Sequence, residues 1–509
     1  MKVLVLNGSP KGKYSITIQT SLYVEKRFPE HNFQVLHVGQ QIKSIEKDFS
    51  AVADAIKNAD LLIFSYPVYT FIAPSQLHRF IELLKESGID LSGKFATQIT
   101  TSKHFYDVTA HQYIRENCQD LDLKYIKGLS ADMDDLLTED GQKTAKEFFN
   151  YVCWCVKHDV YETIRNSATP PKHLPVSPIA LSNEEKSGEV VIVTDCAKDD
   201  QQLKDMINRF RAVLRYKSRV VNIAEYPFGG GCIGCFHCAS TGKCIYKDGF
   251  DDFLRSNIQT ADAIIYAFTI KDHSMGSTFK MYDDRQFCNG HRTVTMGKPT
   301  GYLISGNYDS EANLQMIIEG RSEVGGNLLA GVASDETNPD VEIDRLAQRL
   351  DYAIRHKYNQ PKNFYGVGGM KIFRDLIWLM RGMMKADHRF YKKHGFYDFP
   401  QKKIGRVLKM YVVGALMSSP KIKAKIGNKM NEAMIASYNK KVYTKCDLKR
   451  SVTSLWRLCM FWIYQRGYSR LTIPKIISII FWLAIAWETM GNPEALLRGL
   501  KKHLKKTAF

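Results

Sequence analysis

The sequence predicts an α/β protein: two tandem, doubly wound parallel sheets followed by a basic helical C-terminal region. Three observations carry this expectation. A strand–helix alternation runs through the chain twice, a short segment repeats at a fixed offset, and the charge changes abruptly near residue 360. Ala59-Asp60-Leu61-Leu62-Ile63-Phe64 returns 202 residues later as Ala261-Asp262-Ala263-Ile264-Ile265-Tyr266, and a similar offset places Lys298–Ser305 on a fourth strand. Internal duplication is the economical source of such self-similarity. The expected organisation is a first domain at 1–165, a linker at 166–188, a second domain at 189–359 and the basic region at 360–509.

In the first domain, Lys2–Leu6 is an unalternating run of Val and Leu, as in a central parallel strand. Further strands are expected at Phe33–Val38, Leu61–Tyr66, Phe95–Thr101 and Leu123–Lys127. Helices are expected near Asp48–Asn58, Ser75–Glu86, Asp107–Asn117 and Thr138–Lys157. Ligands of such sheets bind at the carboxyl edge of the strands, where the strand order reverses. At that edge stands Asn7-Gly8-Ser9-Pro10-Lys11-Gly12-Lys13-Tyr14-Ser15-Ile16-Thr17, a glycine- and hydroxyl-bearing loop before a helix. Free N–H groups and the positive helix end make such a turn an anion site. The competing reading is an ordinary turn with Ser15 as N-cap. The loop is neither a Walker sequence nor G-x-G-x-x-G.

The linker carries Pro170, Pro171, Pro175 and Pro178 without an apolar period. A strand at Glu189–Thr194, a helix at Gln201–Arg215 and a strand at Arg219–Ile223 then restart the pattern. The second copy has Asp195-Cys196-Ala197-Lys198-Asp199-Asp200 in place of the first loop, and its three carboxylates would repel a phosphate. It also has Thr269-Ile270-Lys271 where the first copy has Pro67-Val68-Tyr69.

Between its second strand and second helix the second copy inserts Cys232, Cys235, Cys238 and Cys244, spaced C-x2-C-x2-C-x5-C. Four soft ligands on short, glycine-containing spacers suit the corners of a [4Fe–4S] cubane. Structural zinc usually takes two separated C-x2-C knuckles, and no second pair follows. Zinc and a metal-free turn remain the alternatives. His237 reads as a loop side chain, and Cys196 and Cys288 as packed or free thiols.

The Gly8–Thr17 pattern G-S-P-x-x-x-x-S-x-T, with a strand ending in Pro67-Val68-Tyr69, resembles the NAD(P)H-dependent FMN reductase branch of the flavodoxin-like superfamily. The resemblance implies that Ser9, Ser15 and Thr17 hold the FMN phosphate. It implies that Pro67, Val68, Tyr69 and Thr101 flank the flavin ring, and that NAD(P)H is the electron donor. The cysteine loop ahead of Asp251-Asp252 and of the later Ala-Asp-Ala-Ile-Ile strand resembles the iron–sulfur flavoproteins of the same superfamily. Members commonly pair with the flavin near the interface. A fused duplicate would form that pair within one chain, and further self-association stays open.

Composition is globular, with 44% apolar and 24% charged residues. The clustered, odd set of eleven cysteines and the absence of a signal-like apolar region in residues 1–7 point to the cytoplasm. Residues 361–509 hold 30 Lys and Arg against 7 Asp and Glu and so carry +23, leaving −5 on the first 360. In that basic region Lys402–Tyr443 reads as amphipathic helix. Ser451–Trp487 holds four tryptophans and an uncharged run, Ile476–Trp487, too short to span a bilayer. A helical cap on the preceding domains is favoured over a peripheral contact with anionic lipid, and no nucleic-acid motif is present.

The expected function is transfer of electrons from reduced nicotinamide, or a ferredoxin-like donor, through FMN and a [4Fe–4S] cluster to an acceptor. Two other classes compete: an electron carrier that docks protein partners through its basic end, and a zinc-stabilised binding module. No acid–base pair is legible, and His104 reads as a solvated loop residue.

Overall fold

The computed structural model describes residues 1–162, 173–180, 187–420 and Tyr438. The first sheet contains β1 (Lys2–Asn7), β2 (Asn32–Leu36), β3 (Leu61–Pro67), β4 (Phe95–Ser102), β5 (Lys124–Tyr125) and β6 (Leu129–Asp132). Its order is β2-β1-β3-β4-β5, with β6 continuing β5 along β4, and every pairing is parallel. The expected fifth strand, Leu123–Lys127, is paired only over Lys124–Tyr125, and the edge resumes as β6 after Gly128, where any Cβ would overlap Gln98. The second sheet contains β7 (Glu189–Thr194), β8 (Lys217–Asn222), β9 (Ala263–Thr269), β10 (Pro299–Ser305) and β11 (Leu328–Ser334), in the order β11-β10-β9-β7-β8. Read from its β8 end this is again 2-1-3-4-5, the flavodoxin-like order.

Strand parity divides the apolar residues into three layers, because successive side chains leave opposite faces of a sheet. Val3, Val5, Leu61 and Ile63 face an outer core with Ile18, Phe149 and Val152. Val190, Ile192, Ala263 and Ile265 face the other outer core with Leu203, Phe210 and Leu346. The alternate residues Leu4, Leu6, Leu62 and Phe64 share one central core with Val191, Val193, Ile264 and Phe268 of the second sheet. The two domains therefore meet through a common apolar layer.

That layer is built from equivalent helices. The Ser75–Glu86 helix, after β3, packs on the Gly276–Arg285 helix, after β9. The Asp107–Asp120 helix, after β4, packs on the Ala312–Gly325 helix, after β10. The contact is reciprocal in detail. Asp284 accepts from the Ser75 backbone N–H (2.8 Å), and Glu82 accepts from the Ser277 N–H (2.6 Å) and hydroxyl (2.6 Å). Ser75 and Ser277, like Glu82 and Asp284, are related by the same 202-residue offset. Each helix thus supplies a carboxylate to the N-terminus of its counterpart, where the helix dipole favours negative charge.

The compact unit runs from Met1 to Tyr397, past the boundary expected at 360. The Phe364–Leu379 and Lys385–Lys393 helices lie within it and form an apolar cluster with Phe236 and Ala239 of the cysteine loop. The second unit starts at Asp398; its Ile404–Met417 helix has mostly exposed side chains. The expected Trp-bearing segment Ser451–Trp487 lies outside the described residues, as do 421–437 and 439–443 of the expected amphipathic stretch. Among the described residues no helix is long and apolar enough to cross a membrane.

Candidate functional site

At the carboxyl edge of the first sheet, the fully buried Asn7 side chain shapes the loop. Its amide donates to the Gly12 carbonyl (2.9 Å), and its oxygen accepts from the Ser9 N–H (3.1 Å). Ser9, Ser15 and Thr17 are all buried. Ser15 is the extended N-cap of the Ile16–Arg27 helix, and its hydroxyl makes no capping hydrogen bond. A buried N-cap hydroxyl with no cap bond, beside first-turn N–H groups, leaves room for an anion. The Thr17 hydroxyl lies 2.6 Å from that of Thr101, at the end of β4, and ties the two loops together.

After β3 the chain turns sharply, with Tyr69 and Ile72 exchanging backbone hydrogen bonds of 2.8 and 3.2 Å. Thr70 and Phe71 between them both have positive φ, 45° and 75°. Their counterparts Asp272 and His273 have the same conformation, at 47° and 61°. Left-handed non-glycine residues cost ~1–3 kcal/mol each and persist only where their surroundings over-determine them. Here the second domain helps: Lys280, fully buried, donates to the Tyr69 carbonyl (3.0 Å) and pairs with Asp284, which accepts from the Thr70 hydroxyl (3.0 Å).

The cysteine loop of the second domain lies directly over this edge. Gln76 donates to the Cys232 carbonyl (3.4 Å) and Lys43 to the Gly229 carbonyl (3.1 Å). Gly234, at φ 62°, leaves space that the Tyr69 hydroxyl fills; a Cβ there would overlap it. The Lys11 ammonium sits 5.8 Å from the centre of the Phe236 ring. Burial lowers the Lys11 pKa, while Cys235 and Cys232 pull it back up.

One cleft results, enclosing about 1390 Å³ with its mouth included. Cofactor sites of ~300–1,000 Å³ fit within it. All seven expected flavin positions line it: Ser9, Ser15, Thr17, Pro67, Val68, Tyr69 and Thr101. So do all four of Cys232, Cys235, Cys238 and Cys244, none of which is in a disulfide. Burial pushes the Cys238 thiol up to about 12 and Cys232 further, so a bound cation would be needed to ionise them at neutral pH. His237 is exposed, and His104 is half-exposed with Nδ1 2.7 Å from Asp107. Cys288 is buried and also lines the cleft, whereas Cys196 lies in the 195–200 loop of the second domain.

Several lining or supporting residues escaped the sequence reading. Lys280, Asp284 and Arg285 look like the solvated face of a helix, yet all three are at most 1% exposed. Phe373 and Leu376 line the cleft from beyond residue 360. His291 also lines the cleft, with its Nδ1 2.9 Å from the fully buried Asp387, which itself lies beyond residue 360. The reading had only one usable signal here, the 202-residue offset, which aligns Asp284 with Glu82.

The equivalent edge of the second sheet is closed. Asp200 caps its own helix, accepting from the Leu203 N–H (3.1 Å), and also accepts from Thr269 (2.5 Å). Asp335 accepts from the Ser305 hydroxyl (2.7 Å) and the Gly306 N–H (2.9 Å), and His173 of the linker lies 2.8 Å from it. The protein's own carboxylates occupy the positions that an anionic ligand would take.

The fold and its sheet edge define a flavodoxin-like α/β protein. Residues 1–130 match the family model of NADPH-dependent FMN reductase. The chain is also similar to two iron–sulfur flavoproteins. That of Archaeoglobus fulgidus is 25% identical over 176 residues, which is 32% of this chain and 79% of the relative. That of Clostridioides difficile is 26% identical over 141 residues, 26% of this chain and 61% of the relative. A solved FMN-dependent NADH-azoreductase from Bacillus anthracis, in complex with FMN, aligns over 30% of this chain and 98% of its own. Its identity is 14% and its TM-score 0.24.

Proposed function

We propose that the protein is an NAD(P)H-dependent FMN oxidoreductase that moves electrons from FMN in the first domain to a [4Fe–4S] cluster on the cysteine loop of the second. The observation that carries this reading is the single cleft shared by the anion loop and the four cysteines. Ser9, Ser15 and Thr17 would hold the FMN phosphate against the helix N-terminus. Pro67, Val68, Tyr69 and Thr101 would flank the ring, and Cys232, Cys235, Cys238 and Cys244 would hold the cluster. Bound FMN takes two electrons as hydride and releases them singly, the exchange a one-electron cluster needs.

The donor set fits that assignment. Cys232, Cys235, Cys238 and Cys244 line one cleft and none is held in a disulfide, so four soft thiolate donors are available to a single centre. The chain's own work is positional: Lys280 and Asp284 hold the Tyr69 turn, Tyr69 packs on Gly234, and Phe373 and Leu376 give the cleft an apolar wall.

Anaerobic purification followed by counts of flavin, iron and zinc, and then addition of NADPH or NADH, tests the reading. One FMN and one cluster per chain, both reduced by the nicotinamide, is the expected result. A chain that stays oxidised until a partner protein is supplied is an electron carrier, and stoichiometric zinc without iron removes the cluster.

A further inference from the structure

We propose that Arg285 is a positioning residue of the cysteine loop: it clamps both ends of the loop and sets a permanent positive charge against the thiolates, favouring the reduced state of the bound cluster. The inference rests on the cluster reading above.

Arg285 is 1% exposed, and its guanidinium spans the two flanks of the loop. On the side after Cys244 it grips Asp248 bidentately, with both hydrogen bonds at 2.8 Å. On the side before Cys232 it donates to the Gly230 carbonyl at 2.8 Å. The group also stacks on aromatic rings from both flanks, 4.4 Å from the centre of Tyr246 and 5.6 Å from that of Phe228, with Phe250 at 5.1 Å. Arg suits this place because its planar fork keeps its charge when buried and stacks while it bonds.

Two features turn the clamp toward the cysteines. Arg285 lines the same cleft as Cys232, Cys238 and Cys244, and its Nε is buried with no hydrogen-bond partner. Its counter-ion lies on the wetter side: the Asp248 side chain is 11% exposed and that of Arg285 0%. Of the pair, Arg285 lines the cleft of the cysteines and is the more deeply buried member.

Adding one electron to a four-thiolate cubane takes its net charge from −2 to −3, with no bond made or broken and no proton moved. The electron comes from reduced FMN, or from dithionite in the test. A fixed cation nearby stabilises the more negative state, and local charge is one of the levers that set cluster potentials.

The test compares the full chain with its Arg285→Met, Arg285→Lys and Asp248→Asn variants, all purified anaerobically. Iron and sulfide are counted, and the cluster is titrated with dithionite under visible and EPR detection. Arg285→Met is expected to lower the reduced-to-oxidised ratio at least tenfold at the wild-type midpoint, a 59 mV shift for one electron. Arg285→Lys should hold the potential within a few-fold while retaining less iron, because it loses the fork. Asp248→Asn, which removes the counter-charge, should move the ratio the opposite way. A purely structural clamp would change iron content and leave every potential alone, which overturns the proposal, and Arg285→Lys and Asp248→Asn decide it should Arg285→Met lose its iron. A wild-type chain without iron overturns the cluster reading and this inference together.

Discussion

The two domains share strand order, a 202-residue register and even a pair of left-handed residues, yet only one sheet edge is open. In the first, the helix N-terminus is fronted by Ser15, whose hydroxyl makes no cap bond. In the second, Asp200 occupies that role and also takes the Thr269 hydroxyl, while Asp335 takes up the loop after β10. Burial pushes the neighbouring Asp195 carboxyl up to about 6. The same backbone cradle can thus receive an anion or be filled by the chain's own carboxylate. The second domain instead projects its cysteine loop over the open edge of the first.

This division of labour can be broken most completely at the cysteines. Cys235→Ser replaces a soft ligand with a hard one. Iron content should fall to near zero while flavin remains, because the phosphate loop belongs to the other domain. Equal loss of both cofactors would show that the loop builds the flavin site as well.

The reciprocal caps sharpen the comparison at the interface. Asp284→Asn removes the nearer carboxylate of the fully buried Lys280, leaving Asp283 at 3.8 Å, and should destabilise the compact unit by ~3–5 kcal/mol, as expected when a buried pair is broken. Glu82→Gln removes the cap charge and a part-exposed pair with Arg79 (3.1 Å), and should cost about 1–2 kcal/mol. Denaturant unfolding of the two variants checks the asymmetry; equal losses would mean that the Lys280 pair contributes nothing beyond the cap.

A third comparison sets Ser15 and Thr17 against Asp200. Hydrogen bonds to a charged group are worth ~1.5–3 kcal/mol, so joint replacement of Ser15 and Thr17 by Ala should weaken FMN at least about tenfold. Asp200→Ala should leave FMN affinity unchanged by flavin fluorescence titration. A matching loss there would place a second flavin in the second domain.

A further effect is pH-dependent. Phe71 of the first domain has His273 as its counterpart. Burial alone would lower the His273 pKa, but hydrogen bonds to Asp120 and Glu311 raise it to about 10. The stability this adds is complete below pH 6.5, declines as the pH rises above that, and is gone beyond about 10. The melting temperature should fall across that window, and His273→Gln should flatten the dependence. An unchanged slope in the variant would assign the alkaline loss to another group.

What the sequence determined by itself was local. Apolar runs between helical periods, with the repeat offset for β9 and β10, placed nine of the eleven strands, because burial on both faces of the central parallel strands demands such runs. The cysteine spacing, and the resemblance carried by the G-S-P loop and Pro67-Val68-Tyr69, named eleven of the residues that line the cleft, since loop chemistry is written in neighbours. Tertiary structure decided how these pieces meet. That the cysteines lie over the anion loop of the first sheet follows from helices packed across an interface some 200 residues apart in sequence. Lys280, Asp284 and Arg285 look like a solvated helix face until a second domain covers them. Phe373 and Asp387 come from beyond the expected domain boundary for the same reason: burial between distant segments leaves no trace in local periodicity, because it depends on which surfaces find each other.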